Sequence, residues 1–212
     1  IINFNAKWAF SKLATEIPTE IDKRWDFVNL PHSWNAIDGQ DGDNDYFRGT
    51  AYYAKSFMKT DLPESERYYI EIKGANSSAD LYLNGEKLAH HDGGYSTWRV
   101  DLTDKLSLSN MLVIAVDNAA NETVYPQMAD FTFYGGIYRD VNLICVSESH
   151  FDLDYYGGPG LMVTPEIKGE DADVAVEVFV TNPADGQELV YKIYDYEENV
   201  IAEVKQAVAR SE

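Results

Sequence analysis

Cysteine is nearly missing: Cys145 is the single thiol in 212 residues. A disulfide within the chain is therefore excluded. The thiol sits in an apolar run and reads as an inert buried group. Positive charge is also scarce, with 17 Lys and Arg against 36 Asp and Glu and a formal net charge of −19. Nucleic acids and anionic membranes are met by basic patches, so this balance speaks against both as partners. No run approaches the roughly 20 apolar residues of a membrane span. The opening Ile1-Ile2-Asn3-Phe4 has no basic stretch or apolar core of a leader, so any signal peptide is removed or never existed. No segment holds a helical period over three turns. There is no Ser-His-Asp set, no cysteine spacing for a metal and no phosphate-binding glycine loop.

What is present is apolar and aromatic. Hydrophobic residues make up 45% of the chain, enough for a core, and 15 tyrosines and 4 tryptophans stand among them. Aromatic faces stack on the apolar faces of sugars, and an acidic chain leaves neutral ligands open. Aromatics are also ordinary strand and core residues, which alone is the better reading of the count.

The apolar residues alternate with a period of two. Tyr68, Ile70 and Ile72 point one way from Tyr69, Glu71 and Lys73, with Glu71 read as a solvent-facing charge. Ala79, Leu81 and Leu83 repeat the pattern and run into Asn84-Gly85, the strongest short hairpin signal. Trp98, Val100 and Leu102 follow, then Leu112, Ile114 and Val116, and a closing strand from Ile137 to Val146. Short strands punctuated by Gly, Asn and Pro predict an all-β fold, a sandwich or jelly roll. The core expected from this spacing is Leu81, Leu83, Trp98, Val100, Leu112, Ile114 and Val116.

Near Ser147 to His150 the texture changes. Gly157, Gly158, Pro159 and Gly160 break the chain. Val174, Val176, Val178 and Val180 then predict a half-buried strand, within a β meander that turns at Asp185-Gly186 and Glu198-Asn199. Sixty-odd residues fall short of the roughly 100 of an immunoglobulin-like domain, so an incomplete one is expected.

The stretch Val28 to Phe57 organises the rest. It opens extended at Leu30-Pro31 and passes through a loop carrying Asp38, Asp41, Asp43 and Asp45. Trp34, Tyr46, Phe47, Tyr52 and Tyr53 bracket that loop, which predicts an ordered loop presenting polar groups. Asp41, Asp43 and Asp45 alternate as in a calcium loop. Tyr46 stands where such a loop needs Gly and Tyr52 where it needs Glu, so that reading fails. His90 and His91 are adjacent, make poor co-ligands and read as solvated turn residues, and His32 reads as a loop-orienting residue.

Several stretches together resemble the amino-terminal region of glycoside hydrolase family 2, the β-galactosidase, β-glucuronidase and β-mannosidase family. They are Trp25 with Val28 to Asn35, Gly49 to Phe57, Ala79 to Gly85, Gly93 to Tyr95, Asp101 to Thr103 and Gly135 to Val141. The resemblance implies a jelly-roll, galactose-binding-like domain over residues 1–146. Residues 147–212 are then the start of an immunoglobulin-like β-sandwich, and the chain is a fragment. The Asp-rich loop with Asn44-Asp45-Tyr46 leans toward the β-galactosidase branch.

Family members hydrolyse β-glycosides with retention, through two glutamates on a (β/α)8 barrel, so the resemblance implies no catalytic residue here. It implies instead that loops of this region shape the sugar subsite of that barrel. Asp130, Asn44 and Asp45 match such contacts, and a carboxylate or amide there accepts hydrogen bonds from sugar hydroxyls. The implied partners are a β-glycoside and the protein's own barrel. No cofactor is implied in this stretch, with a divalent or sodium ion possible in the full enzyme. The implied setting is the bacterial periplasm or outside the cell. A free-standing, lectin-like carbohydrate-binding module without hydrolase activity is the competing reading.

Overall fold

Asn84 and Gly85 both have positive φ, 53° and 84°, and the chain reverses on these two residues. The reversal joins the strands Ser78–Leu83 and Glu86–Asp92, with Leu83 opposite Glu86. The computed structural model containing this hairpin describes residues 1–36, 38, 46–125 and 132–208. The chain divides into two units, Ile1–Cys145 and Val146–Glu212.

The first unit carries β1 (Ile2–Asn3), β2 (Trp8–Ser11), β3 (Asp26–Val28), β4 (Thr50–Met58) and β5 (Arg67–Ile72). β6 and β7 are the hairpin above, followed by β8 (Trp98–Asp101), β9 (Ser109–Asp117) and β10 (Val141–Val146). These strands form two sheets, ordered β1-β10-β5-β8 and β3-β2-β4-β9-β6-β7. Period two sends alternate side chains to opposite faces, so each strand contributes one apolar row. Ile70, Ile72, Trp98 and Leu143 of the smaller sheet share a core with Trp8, Tyr53, Leu81, Leu83, Leu112, Ile114 and Val116 of the larger. All the core residues expected from spacing are buried except Val100, which is half-buried against the same cluster. Burying a side chain of this size stabilises by about 1.5–3 kcal/mol.

The outer face of the larger sheet is covered too. Ala9, Tyr52, Ala54, Val113 and Ala115 form a second cluster, closed by Ile17, Ile21 and Trp25 from the β2–β3 connection. That cover explains why β4 shows no clean alternation: both of its faces are buried over Ala51–Ala54.

Two expectations fail in this unit. Glu71 does not face solvent. It is 5% exposed, because β8 and β10 bring polar groups against it. Arg99 Nε and Nη2 both donate to Glu71 Oε2 at 2.8 Å, and Asn142 Nδ2 donates to Oε1 at 2.9 Å. A buried carboxylate persists only with such partners. His90 and His91 are not turn residues but lie within β7. His91 stacks on Trp98 with ring centroids 5.1 Å apart, while His90 sits between Asp80 and Asp92 at 2.6 and 3.1 Å.

The second unit carries β11 (His150–Phe151), β12 (Leu161–Lys168), β13 (Asp171–Val178), β14 (Val180–Thr181), β15 (Glu188–Tyr194) and β16 (Val200–Ala207). They pair as three two-stranded ladders, β11–β14, β12–β13 and β15–β16. The strand expected to be half-buried is open, with Val174 41% and Val176 36% exposed. None of the described residues of these six strands is buried. Alternation marks an apolar row, and a row is buried only when a second layer faces it.

Candidate functional site

Two long connections, β3–β4 and β9–β10, are laced together by backbone and side-chain hydrogen bonds. His32 N–H donates to Ile137 O at 2.8 Å and Trp34 N–H to Gly135 O at 3.3 Å. Ser33 Oγ donates to Gly135 O at 2.9 Å. Asn35, 1% exposed, is the hub. Its Oδ1 accepts from Gly135 N–H at 2.7 Å and from Asn118 Nδ2 at 3.2 Å. Its Nδ2 donates to Asp38 Oδ2 at 2.7 Å and to Phe47 O at 3.1 Å. Both donors and both lone pairs of the amide are thus used, the condition for burying it at little cost. Burial opposes ionisation of Asp38, but the Phe47 N–H and the Asn35 amide outweigh it and hold the carboxyl below its ordinary range.

Aromatic packing requires glycine on the opposite strand of the lacing. A Cβ on Gly135 would lie 2.3 Å from the Trp34 ring, and one on Gly136, at φ 125°, would lie 2.5 Å from His32 O. His32 faces the Tyr53 hydroxyl across 2.8 Å through Nδ1. Burial, then the charge of Lys12, push the His32 pKa down, so the ring is neutral at pH 7 and orients the loop. Burial likewise pushes the Tyr53 hydroxyl far up, so it stays protonated.

Beside this lacing lies a cavity of about 370 Å³, lined by Ser33, Asn76, Tyr95, Thr132, Tyr134 and Tyr138. Asn76 bridges to Gly136 through its backbone, and its Nδ2 donates to Tyr134 O at 2.9 Å. The Tyr138 hydroxyl donates to Gly94 O, and Arg139 Nη1 donates to Tyr95 O at 2.9 Å. Tyr95 meets Tyr138 edge to face at 6.4 Å. The Tyr95 and Tyr134 rings remain about half exposed. Since the Ser33 and Tyr138 hydroxyls and the Asn76 amide nitrogen are engaged within the protein, the described lining presents chiefly the Tyr95 and Tyr134 rings.

The sequence-predicted contacts Asn44, Asp45 and Asp130 lie outside the described residues. Their described flanks are Asp38 and Phe47, tied to Asn35, and Thr132, which lines the cavity two residues on from Asp130. Sequence reasoning missed Asn76, Tyr95, Tyr134 and Tyr138 as lining. Three of them lie in Gly93-Gly94-Tyr95 and Tyr134-Gly135-Gly136-Ile137-Tyr138, where the glycines announce a turn without telling where the rings point. Among the described residues no three His, Cys, Asp or Glu side chains group as metal ligands. No described helix is long and apolar enough to cross a membrane.

Comparison with known proteins bears on the same region. The family described as glycosyl hydrolase 2 galactose-binding domain-like matches residues 42–147, half of the chain. A putative β-glucuronidase of Formosa agariphila is 32% identical over 185 residues, covering 85% of this chain and 22% of the relative. A β-glucuronidase of Bacteroides fragilis is 34% identical over 160 residues, covering 74% and 23%. Among solved structures, the FMN-binding β-glucuronidase from F. prausnitzii L2-6 is 41% identical with a TM-score of 0.86, covering 97% of this chain and 32% of that one. A putative β-galactosidase from Bacteroides fragilis is 31% identical with a TM-score of 0.84, with the same coverage. The chain thus spans between a fifth and a third of the length of these relatives. Both enzyme names occur among them, so the lean toward the β-galactosidase branch is not separated from β-glucuronidase. The shared fold, the matched residues and the level of identity agree on one statement: this chain belongs to glycoside hydrolase family 2, through its galactose-binding-like domain.

Proposed function

We propose that this chain is the sugar-facing, non-catalytic region of a retaining β-glycosidase, whose two catalytic glutamates stand on a (β/α)8 barrel outside residues 1–212. Retention needs two carboxyl groups roughly 5 Å apart on rigid elements, one as nucleophile and one as acid/base. The described carboxylates held tightly here have other duties. Glu71 neutralises Arg99 in the interior, and Asp80 and Asp92 share the His90 ring on the outer hairpin. The role left for the chain is to bind and orient. Asp38 and Phe47, on either side of Asn44 and Asp45, and Gly135, five residues on from Asp130, belong to the laced β3–β4 and β9–β10 connections.

The observation that carries this reading is the Asn35 hub, which fixes both connections to one frame. Such a frame orders the described parts of the two connections before any sugar arrives. The substrate proposed first is a β-glucuronide, from the identities of the glucuronidase relatives, with a β-galactoside as the alternative.

Asp130→Ala in the longer protein tests it. Losing one hydrogen bond to a charged acceptor costs about 1.5–3 kcal/mol, so kcat/KM should fall about tenfold to a hundredfold. The melting temperature should hold, because a loop carboxylate stabilises no core. Unchanged kcat/KM overturns the sugar contact, and a large drop in melting temperature makes the residue structural.

A further inference from the structure

We infer that Asn84 is a site of spontaneous deamidation, held off in the folded chain by the contacts of its own side chain. The inference is independent of the sugar-facing reading. Asn84-Gly85 is the one Asn-Gly pair in the sequence. The reaction needs only water. The Gly85 backbone nitrogen attacks Asn84 Cγ and gives up its proton, the side-chain nitrogen leaves as ammonia, and a cyclic succinimide forms. Water then opens that ring at one carbonyl or the other, giving aspartate or isoaspartate, with no change of oxidation state. Glycine favours the attack because no side chain crowds the nucleophile. A Cβ added to Gly85 would meet nothing within 4 Å, and Asn84 is exposed, so water reaches the turn.

The fold opposes the first step. Asn84 Oδ1 accepts from Met111 N–H at 2.9 Å, and Asn84 Nδ2 donates to Asn110 Oδ1 at 3.1 Å. The amide is thus tied to β9 through both of its polar atoms, and both ties must open before Cγ can meet the Gly85 nitrogen. Asn110 is a firm anchor. It is 2% exposed, its Nδ2 donates to Ser107 O at 2.7 Å, and its Oδ1 also accepts from Ser107 N–H at 2.9 Å. The same contacts make the product disruptive. Neither aspartate nor isoaspartate has an N–H for Asn110 Oδ1, and either sets a carboxylate against that acceptor. Isoaspartate also adds one carbon to the backbone of a two-residue reversal, the element that sets Leu83 opposite Glu86. Asn84 therefore serves as both turn and clasp, and its conversion loosens the β6–β7 tip from β9.

The test is peptide mapping by mass spectrometry on the longer protein, incubated at mildly alkaline pH both folded and in guanidinium chloride. Conversion at Asn84 is read as the amide-to-acid mass gain and as isoaspartate. It should run about tenfold or more slower in the folded protein, the ratio two hydrogen bonds supply. Asn110→Ala removes the anchor and leaves Asn84-Gly85 intact, and should raise the folded rate about three- to tenfold. In the Asn84→Asp protein, hydrogen exchange over residues 83–86 should rise about tenfold. No conversion in guanidinium chloride overturns the site, and equal rates folded and unfolded overturn its protection without reference to any variant. A folded Asn110→Ala protein that converts no faster than the unsubstituted one, or unchanged exchange in Asn84→Asp, overturns the clasp.

Discussion

The two units contain the same sequence pattern with opposite outcomes. In the first, Leu81 and Leu83 on β6 face Ile70 and Ile72 across a shared core and are almost wholly buried. In the second, Val174 and Val176 on β13 alternate just as cleanly and stay more than a third exposed, and Ile201 and Val204, on opposite faces of β16, are both exposed. Period two fixes which side a residue points to, and it says nothing about what stands opposite. Hydrophobic stabilisation follows the area removed from water, so the pattern stabilises only where a second layer exists. A lone two-stranded ladder is marginal for that reason.

The contrast is sharpest at a charge. Glu71→Ala leaves the Arg99 guanidinium buried without its carboxylate, and breaking such a pair costs about 3–5 kcal/mol. Urea unfolding of the 212-residue chain should show that loss in the first unit's transition. Core truncation comes next. Leu81→Ala should cost about 2–5 kcal/mol, against less than about 0.5 kcal/mol for Val204→Ala. If Val204→Ala costs as much as Leu81→Ala, the two units do not differ as described.

Gly135→Ala should be smaller, about 1–3 kcal/mol, the usual cost of forcing atoms into a filled site. It should also alter the near-UV dichroism of Trp34, because the indole must leave the backbone it lies on. The smallest effect is pH-dependent, on the β6–β7 hairpin. The hydrogen bond and charge of Asp80, with Asp92, raise the His90 pKa, and Lys87 and Tyr82 also face Asp80. A raised histidine pKa stabilises the fold fully below its unfolded value, and the gain is lost as pH rises through the folded value. The melting difference between the unsubstituted chain and His90→Gln should therefore be larger near about pH 5.5 than near about pH 9. A difference independent of pH would mean that His90 acts through packing alone.

Much of the first unit is legible in the sequence alone. Asn84-Gly85 announces its turn because both residues need positive φ, and the β6 and β9 rows announce their faces. The stretch Val28 to Asn35 carries the family resemblance, and the structure adds a physical reason for Asn35 in it, a buried amide with every hydrogen bond made. The rest depends on partners distant in sequence. Glu71 looks like surface charge until Arg99, 28 residues on, and Asn142, 71 residues on, arrive beside it. The cavity tyrosines come from two separate glycine turns, and nothing within either turn indicates that they meet. Among the described residues none in β12 to β16 is buried, and alternation cannot report how far a row is covered.

The central claim is that the chain is the orienting part of a glycosidase and not its catalyst. The most direct measurement compares residues 1–212 with the longer protein on an aryl β-glucuronide and an aryl β-galactoside. The expected result is no turnover by residues 1–212, and saturable turnover by the longer protein, higher on the glucuronide. Saturable hydrolysis by residues 1–212 alone, or none by the longer protein on either substrate, would contradict it.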